Sequence, residues 1–508
     1  MSRLRSPGPA NATRSLVAAI RGHVTTDAEG IAPFQHDASH LTGRPIAVVA
    51  PADPDDVVEL VRWARRTHIP LVPRGGGTSL GGESVPPDGA VVVDLSGWSH
   101  LLEVDANGLW ARVEPGLVNR ELQRALLPNG LFFPPNPGSW TLSTIGGNVG
   151  TNASGMRSFR YGPTRAWVRE VEAVLGTGSR VHLGSRVAKR SVGPDLLQMF
   201  IGSEGTLGIA TEVTVRLAPV PAVRHGAIVP VPRAISLGPL VARLSRIPDS
   251  GLSAVEYLDR GSAAALAERR KARWPRDSSL LLLEVEAGGP DEAERRLSRL
   301  RRALGAMGAG DGFTVFEDAD ELWTLRGASG DVLLERYGLH VREDVAVPLD
   351  RVDALVAELE RIARRERVPF FLFGHLGEGS LHPNYAVGPT TAAAERIRAA
   401  VLRASRSLGG TISAEHGIGR LKRAFLTEEL GAGAVELLEA VKQACDPDWI
   451  LNPGKLYPPF SPRAPGPSRS PSEREVARAR TGSTSAGRSP SRPRGSPGGG
   501  RQRRAARP

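Results

Sequence analysis

The sequence predicts an α+β protein made of two folded units and a disordered C-terminal tail. Three observations carry that reading. From Gly43 to Pro219 short apolar runs alternate with amphipathic segments. After the proline-rich run Ala218 to Pro232 longer helical periodicities alternate with strands, and from Phe460 the composition is dominated by arginine, proline, glycine and serine.

The elements follow in order. Asp53, Asp55 and Asp56 put acids where a helix starts, and Val57, Val58, Leu60, Val61 and Ala64 form an apolar stripe at helical spacing, so a surface helix is predicted. Ile69 to Val72 reads as a buried strand running into the glycine cluster Arg74 to Gly82. Further strands are predicted at Ala90 to Leu95 and Leu109 to Val113, and a helix at Leu117 to Leu127. Val171 to Leu175 and Val181 to Leu183, joined through Gly176-Thr177-Gly178-Ser179, form a hairpin. In the second unit helices are predicted at Asp291 to Leu304, Asp350 to Arg367 and Ala392 to Ser407, with strands at Ser279 to Val285 and Pro369 to Phe373. No internal repeat of fixed period is present.

Charge is unevenly placed. The 508 residues carry 65 Lys and Arg against 54 Asp and Glu, but residues 460–508 hold 12 Arg, no Lys and two Glu, leaving 53 basic and 52 acidic groups in the rest. The body is nearly neutral, which removes the argument for a specific nucleic-acid partner. Of the 49 tail residues 36 are Arg, Pro, Gly or Ser, too polar to offset the entropy of ordering. An RNA- or lipid-headgroup-binding arm and an unconstrained extension are the two readings of it. The single thiol, Cys445, excludes an intrachain disulfide and an ordinary four-thiolate cluster, and points to the cytoplasm. No run approaches the length of a membrane span, though peripheral contact with the inner face of a membrane stays open. The basic start, Met1 to Arg21, lacks the apolar core of a secretory signal; a transit peptide and a frayed terminus both fit it.

Four glycine-rich clusters, at Arg74 to Gly82, Thr144 to Gly155, Gly202 to Gly208 and Gly374 to Gly379, are the main functional signal. Glycine lets backbone N–H groups close on an anion, and several such loops beside predicted strands suit a large phosphorylated cofactor. None has the pattern of a Walker loop or a dinucleotide-binding helix entry, and each alone reads equally as tight turns.

Together the motifs are specific. Pro73-Arg74-Gly75-Gly76-Gly77-Thr78-Ser79-Leu80, Gly138-Ser139, Thr144-Ile145-Gly146-Gly147-Asn148, Asn152-Ala153-Ser154-Gly155, Arg160-Tyr161-Gly162 and Gly202-Ser203-Glu204-Gly205-Thr206-Leu207-Gly208-Ile209 resemble the FAD domain of the vanillyl-alcohol oxidase/p-cresol methylhydroxylase flavoproteins. Gly374-His375-Leu376-Gly377-Glu378-Gly379-Ser380-Leu381-His382, Glu415-His416-Gly417-Ile418-Gly419 and Asn452-Pro453-Gly454-Lys455 are similar to the branch of D-lactate, D-2-hydroxyglutarate and glycolate dehydrogenases. The resemblance spans about Gly43 to Tyr457. It implies a two-subdomain PCMH-type FAD-binding domain (43–222) and an α+β, ferredoxin-like substrate or cap domain whose last part returns to the flavin (223–457), preceded by an N-terminal extension with a first helix (1–42) and followed by the disordered tail (458–508) that composition gives.

The same resemblance implies noncovalent FAD, because the phosphate loop offers no His or Cys for a covalent link. Its contacts would come from Arg74, Gly75, Gly76, Gly77, Thr78, Ser79, Gly138, Ser143, Thr144, Gly147, Asn152, Gly155, Tyr161, Glu204, Gly205, Ile209 and Asn452. His375, His382 and Glu415 would hold a divalent ion, zinc or manganese, with coordination positions left open. The catalytic set would be His416 as general base, Arg326 as carboxylate clamp, and Arg342, where relatives often carry Lys; without the resemblance these arginines read as ordinary surface ion pairs. The implied reaction is oxidation of a 2-hydroxy acid resembling D-lactate, glycolate or D-2-hydroxyglutarate to the 2-oxo acid, by hydride transfer from C2 to flavin N5.

Two departures from the family pattern are expected to matter. Glu378 and Ser380 stand where Asp and Asn are usual, so the turn should shift and a substrate-positioning amide is shortened to a hydroxyl. The electron acceptor should be a separate partner: an electron-transfer flavoprotein, a quinone, a cytochrome or O2. Two rival readings are a non-redox flavoenzyme resembling alkylglycerone-phosphate synthase, and a flavin-fold binding protein acting through the basic tail.

Overall fold

A computed structural model describes residues 9–270, 278–338, 340–388 and 391–457. The tail 458–508, for which disorder is expected, and residues 1–8 lie outside the described residues.

The first sheet orders its strands as His23–Thr25, Ala47–Ala50, Val91–Asp94, Leu71–Arg74, the last three running parallel. A parallel sheet buries both faces, which explains its continuous valine runs. The helix Pro54–Thr67 makes the crossover, and Asp53 caps it by accepting from the Asp56 N–H. Its predicted stripe is buried, together with Trp63. The strand expected from Ile69 runs two residues later, at Leu71–Arg74, so its end delivers Arg74 to the glycine cluster.

The second sheet is antiparallel, in the order Leu101–Asp105, Trp110–Val113, Gly208–Arg216, Val168–Leu175, Arg180–Gly184, and contains the expected hairpin. The third is the largest: Thr314–Phe316, Val223–Pro232, Ser278–Ala287, Leu252–Leu258, Phe370–Gly374, Ser380–Tyr385 and Val341–Arg342. Helices Leu237–Ser245, Pro290–Gly305, Val352–Glu366 and Ala392–Ser407 pack on one face. Helices Arg260–Arg270 and Ala319–Tyr337 cover the other. The strand Ser278–Ala287 is therefore buried along its whole length, with Leu281, Leu283 and Val285 on the first face and Leu280 and Leu282 on the second.

The proline-rich run that marks the boundary between the units contains a ten-residue strand, Val223–Pro232. Its neighbour at the sheet edge covers only Gly226 to Ile228, so Pro230 and Pro232 lie where one side of the strand is open and a missing N–H breaks no ladder there.

The C-terminal segment returns to the first sheet: the Leu71 N–H donates to the Ile450 carbonyl and the Asn452 N–H to the Leu71 carbonyl, both at 2.8 Å. Lys442, fully buried, secures that return. Its Nζ donates to Asp446 Oδ2 (2.5 Å), the Thr206 carbonyl (2.6 Å) and the Leu451 carbonyl (2.9 Å), while Asp446 accepts from the Ile450 and Leu451 N–H groups. Removing one member of a buried ion pair costs about 3–5 kcal/mol. Lys442→Met should lower the denaturant midpoint by that equivalent, measured by circular dichroism; an unchanged midpoint would refute this role for the lysine.

Candidate active site

One cavity of about 1190 Å³ runs from the glycine loops to the end of the third sheet. Arg74, Gly75, Gly76, Gly77, Thr78, Ser79, Gly138, Thr144, Gly147, Glu204 and Gly205 line it at one end, and Arg326, Arg342, His375, His382, Glu415 and His416 at the other. The loops are packed too tightly for side chains: a Cβ on Gly75 would lie 2.1 Å from Thr144 Oγ1. Asn148 Nδ2, in the cavity wall, and Ser143 Oγ are buried without a partner in the protein. Backbone donors, an arginine and the unsatisfied Asn148 amide along one wall fit a cofactor that carries a diphosphate.

Six residues expected at the cofactor do not face the cavity. Tyr161 is turned away, donating to Glu286 Oε2 (2.6 Å) and packing edge-on against Phe132 and Trp167. Ile209 sits in the core of the first sheet. Asn152 accepts from the Arg165 N–H, Gly155 is pressed against the Asn136 carbonyl, and Ser143 lies behind the wall. Asn452 donates to the carbonyls of Glu83 and Glu204, so it positions two wall segments.

The histidine pair is brought together by a hairpin. Phe373 is in register with His382, and the turn Leu376–Glu378 between the strands returns the chain so that the two rings lie 5.0 Å apart, nearly perpendicular. His375 Nε2 lies 3.1 Å and His382 Nε2 3.3 Å from Glu415 Oε1. Two imidazole nitrogens and a carboxylate oxygen within reach of one centre are a donor set that fits zinc or manganese. His416 stacks on His382 at 5.1 Å, with its Nε2 3.6 Å from the same Glu415 oxygen. Burial pushes the His416 imidazole down to about 4. Burial opposes the charge of Glu415, yet His375 and His382 hold its carboxyl well below the usual range.

Two carboxylates that no local motif announces organise this end. Asp344 Oδ2 accepts from three successive N–H groups, Ala414 (2.9 Å), Glu415 (2.8 Å) and His416 (2.9 Å), and from Ser413 Oγ. Its Oδ1 stands 3.5 Å from His382 Nδ1, an ion-pair distance too long for a good hydrogen bond. Glu256, fully buried, contacts His375 Nδ1 through Oε1 and accepts from Arg326 Nε (2.9 Å) through Oε2. Arg326 also lies over the Phe373 ring at 4.5 Å. Arg342 makes no ion pair among the described residues, and burial lowers its pKa. The signal that could have exposed Glu256 is a lone carboxylate within Leu252-Ser253-Ala254-Val255-Glu256-Tyr257-Leu258, a strand buried at every position.

Glu378 bonds to Ser158 Oγ, and the hairpin still brings both histidines to the cavity. Ser380 Oγ is buried without a partner and does not line the cavity, so it does not replace an amide there; Asn384 lines the wall instead, donating to the His382 carbonyl.

Comparison with known proteins matches residues 45–184 to a family described as FAD binding domain and residues 220–456 to FAD linked oxidases, C-terminal domain. The chain is 32% identical over 435 residues to glycolate oxidase subunit GlcD of Bacillus subtilis, covering 84% of this chain and 92% of that protein. It is 32% identical over 452 residues to D-2-hydroxyglutarate dehydrogenase of Stutzerimonas stutzeri, covering 86% and 96%. The crystal structure of p-cresol methylhydroxylase with substrate bound superposes with a TM-score of 0.74 at 16% identity, over 90% of this chain and 98% of that one. Among the described residues no helix is long and apolar enough to cross a membrane.

Between the two ends of the cavity lies a buried acid pair. Glu204 accepts from the Ile418 (2.6 Å) and Gly419 (3.0 Å) N–H groups, and burial pushes its carboxyl up to about 7. Glu83 accepts from the Gly81 N–H through Oε2, but its Oε1 has no partner; burial and the nearby Glu204 raise it well above the usual range. Gly417 separates the two, for a Cβ there would meet both acids at 2.8 and 2.9 Å and its φ is +82°. A carboxyl raised in the folded state holds its proton more tightly folded than unfolded. It therefore subtracts stability as pH rises from the unfolded value, near 4.3, toward the folded one. Glu83→Gln should match the wild type in melting temperature at pH 4 and exceed it increasingly between pH 5 and 8; a constant difference across that range would contradict a protonated Glu83.

Proposed function

This chain belongs to the FAD-linked oxidases, with FAD as its cofactor, and we propose that it oxidises a 2-hydroxy acid, of the size range from glycolate and D-lactate to D-2-hydroxyglutarate, to the 2-oxo acid. The single observation that carries the reading is that one cavity joins the cofactor loops to a histidine and carboxylate cluster flanked by two guanidiniums.

Each residue has a task the chemistry requires. Arg326 and Arg342 meet the substrate carboxylate, and with the Nε of Arg326 already committed to Glu256, its terminal nitrogens remain for a two-point contact. His375, His382 and Glu415 would hold the divalent ion, which supplies positive charge to the hydroxyl and carboxylate oxygens of the substrate. His416 takes the hydroxyl proton. Burial keeps it neutral near pH 7 and so able to accept, while the Asp344 charge favours the imidazolium once formed. FAD, held without a covalent link by the glycine loops, supplies the acceptor for the hydride leaving C2. Holding C2 in one place is what Arg326, Arg342 and the ring of Phe373 contribute. The lone Cys445 offers no relay for the electrons, so a separate acceptor completes the cycle.

The test is anaerobic loss of the oxidised flavin's visible absorbance with a panel of D- and L-2-hydroxy acids, with and without chelator. One or more 2-hydroxy acids should bleach the metal-loaded protein, and chelator should slow it. His416→Ala should slow bleaching by about 10²–10⁴-fold with FAD content unchanged. A flavin- and metal-loaded preparation that none of the panel reduces would sink the proposal.

A further inference from the structure

Arg326 and His375 lie on different elements of the second unit, the first on the helix Ala319–Tyr337 and the second just beyond the strand Phe370–Gly374. Glu256 joins them. It projects from the strand Leu252–Leu258, which lies beside Phe370–Gly374 in the sheet, with Leu258 opposite Phe373. Alternation along the strand sets Glu256 on the face of Ala254 and Leu258, the face that the helix Ala319–Tyr337 covers. The carboxylate is fully buried, and its oxygens are divided: Oε2 accepts from Arg326 Nε at 2.9 Å, and Oε1 contacts His375 Nδ1.

That division fixes which atoms are presented to the cavity. With Nδ1 engaged, His375 offers Nε2, the atom 3.1 Å from Glu415 Oε1. With Nε engaged, Arg326 is fixed over Phe373 and keeps its two terminal nitrogens. Glu284, on the neighbouring strand of the same sheet, places both of its oxygens on one guanidinium, that of Arg157, with bonds of 2.8 and 3.0 Å. Glu256 gives one oxygen to each partner instead.

We propose that Glu256 is a positioning residue that ties the carboxylate clamp to the metal-binding cluster, so that ordering Arg326 strengthens ion binding at His375 and ion binding in turn orders Arg326. The inference rests on the function proposed above. Coupling of this kind is reciprocal: whatever the clamp does for the ion, the ion does for the clamp.

The experiment measures Mn²⁺ affinity of the FAD-loaded protein by equilibrium dialysis, with no substrate present, for the wild type, Glu256→Gln, Arg326→Met and the double variant. Loss of a carboxylate behind a metal-ligating histidine weakens the ion by about 10–100-fold, which is the expectation for Glu256→Gln. Arg326→Met removes no ion ligand, yet should weaken Mn²⁺ by about fivefold or more, within the ordinary range of coupling between sites. The double variant should lose less than the product of the two. The KM for the bleaching substrate should rise in both single variants, and in Glu256→Gln it should rise further when the ion is withheld. Wild-type uptake of Mn²⁺ with an unchanged affinity in Arg326→Met overturns the inference alone. A wild type that takes up no Mn²⁺ overturns the metal assignment and the inference with it. Should Glu256→Gln fail to fold, the Arg326→Met affinity still decides.

Discussion

The candidate site depends on a single oxygen. Asp344 Oδ2 gathers the N–H groups of Ala414, Glu415 and His416, three donors in succession, and so dictates where a metal ligand and a general base can stand. Hydrogen bonds to a charged partner contribute about 1.5–3 kcal/mol each, so this contact outweighs any single apolar contact of the same loop. Lys422 supports it by donating to the carbonyls of Asp344 and Ile412. Directly after this stretch the chain passes to a second carboxylate, Glu204, which takes the N–H groups of Ile418 and Gly419. One acid comes from the third sheet's side and the other from the glycine-rich loop before the strand Gly208–Arg216. The loop that carries Glu415 and His416 is therefore fixed from both ends of the cavity.

Burial alone would raise every one of these acids, and partners decide which escape. Glu284 receives Arg157, Trp323 Nε1 and Ser253 Oγ, and against the cost of burial it is held down to about 2. Glu256 and Asp344, each facing cations, are likewise held low despite burial. Glu83 and Glu204 face each other across Gly417, and both rise because burial outweighs their backbone donors and, for Glu204, the charges of Lys455 and Lys422. The carboxylates held low are thus the ones that face His375, His382, Arg326 and Arg157. Desolvation and pairing are of similar size at these positions, so one cation does not by itself settle the sign: Glu343, bonded to Arg398 at 2.8 Å, stays raised by burial.

Much of the fold was legible because its signals are local. The helix Ala392–Ser407 has the limits that periodicity assigns, and the hairpin of Val168–Leu175 with Arg180–Gly184 follows from alternation around Gly176 and Gly178. The strand Val223–Pro232 was hidden because two prolines suit an open edge, and openness is a property of the sheet rather than of the segment. The cofactor loops were legible for the same local reason: close backbone approach demands glycine, and glycine is visible in one dimension. Tyr161 shows the limit of that argument, for its place in the motif is right and its side chain points into the protein.

The carboxylates that aim the site were illegible in a different way. Glu256 lies 119 residues from His375 and 70 from Arg326, and Asp344 lies about as far from His416 as strands and a helix require. Nothing near Glu256 in sequence distinguishes it from a solvated acid except that Ala254, Val255, Tyr257 and Leu258 around it are apolar or aromatic. That exception has a physical reading. A carboxylate can stand in a strand buried on both faces only if cations reach it, so each such residue implies an Arg, Lys or His arriving from elsewhere in the fold. Three such acids stand in this sheet: Glu256 and Glu284 are met by Arg326 and Arg157, which line the cavity, while Glu286 is met by Tyr161 and Arg160 outside it. Buried acids in apolar strands were thus pointing at the site from within the core, and the glycine motifs were pointing at it from the loops.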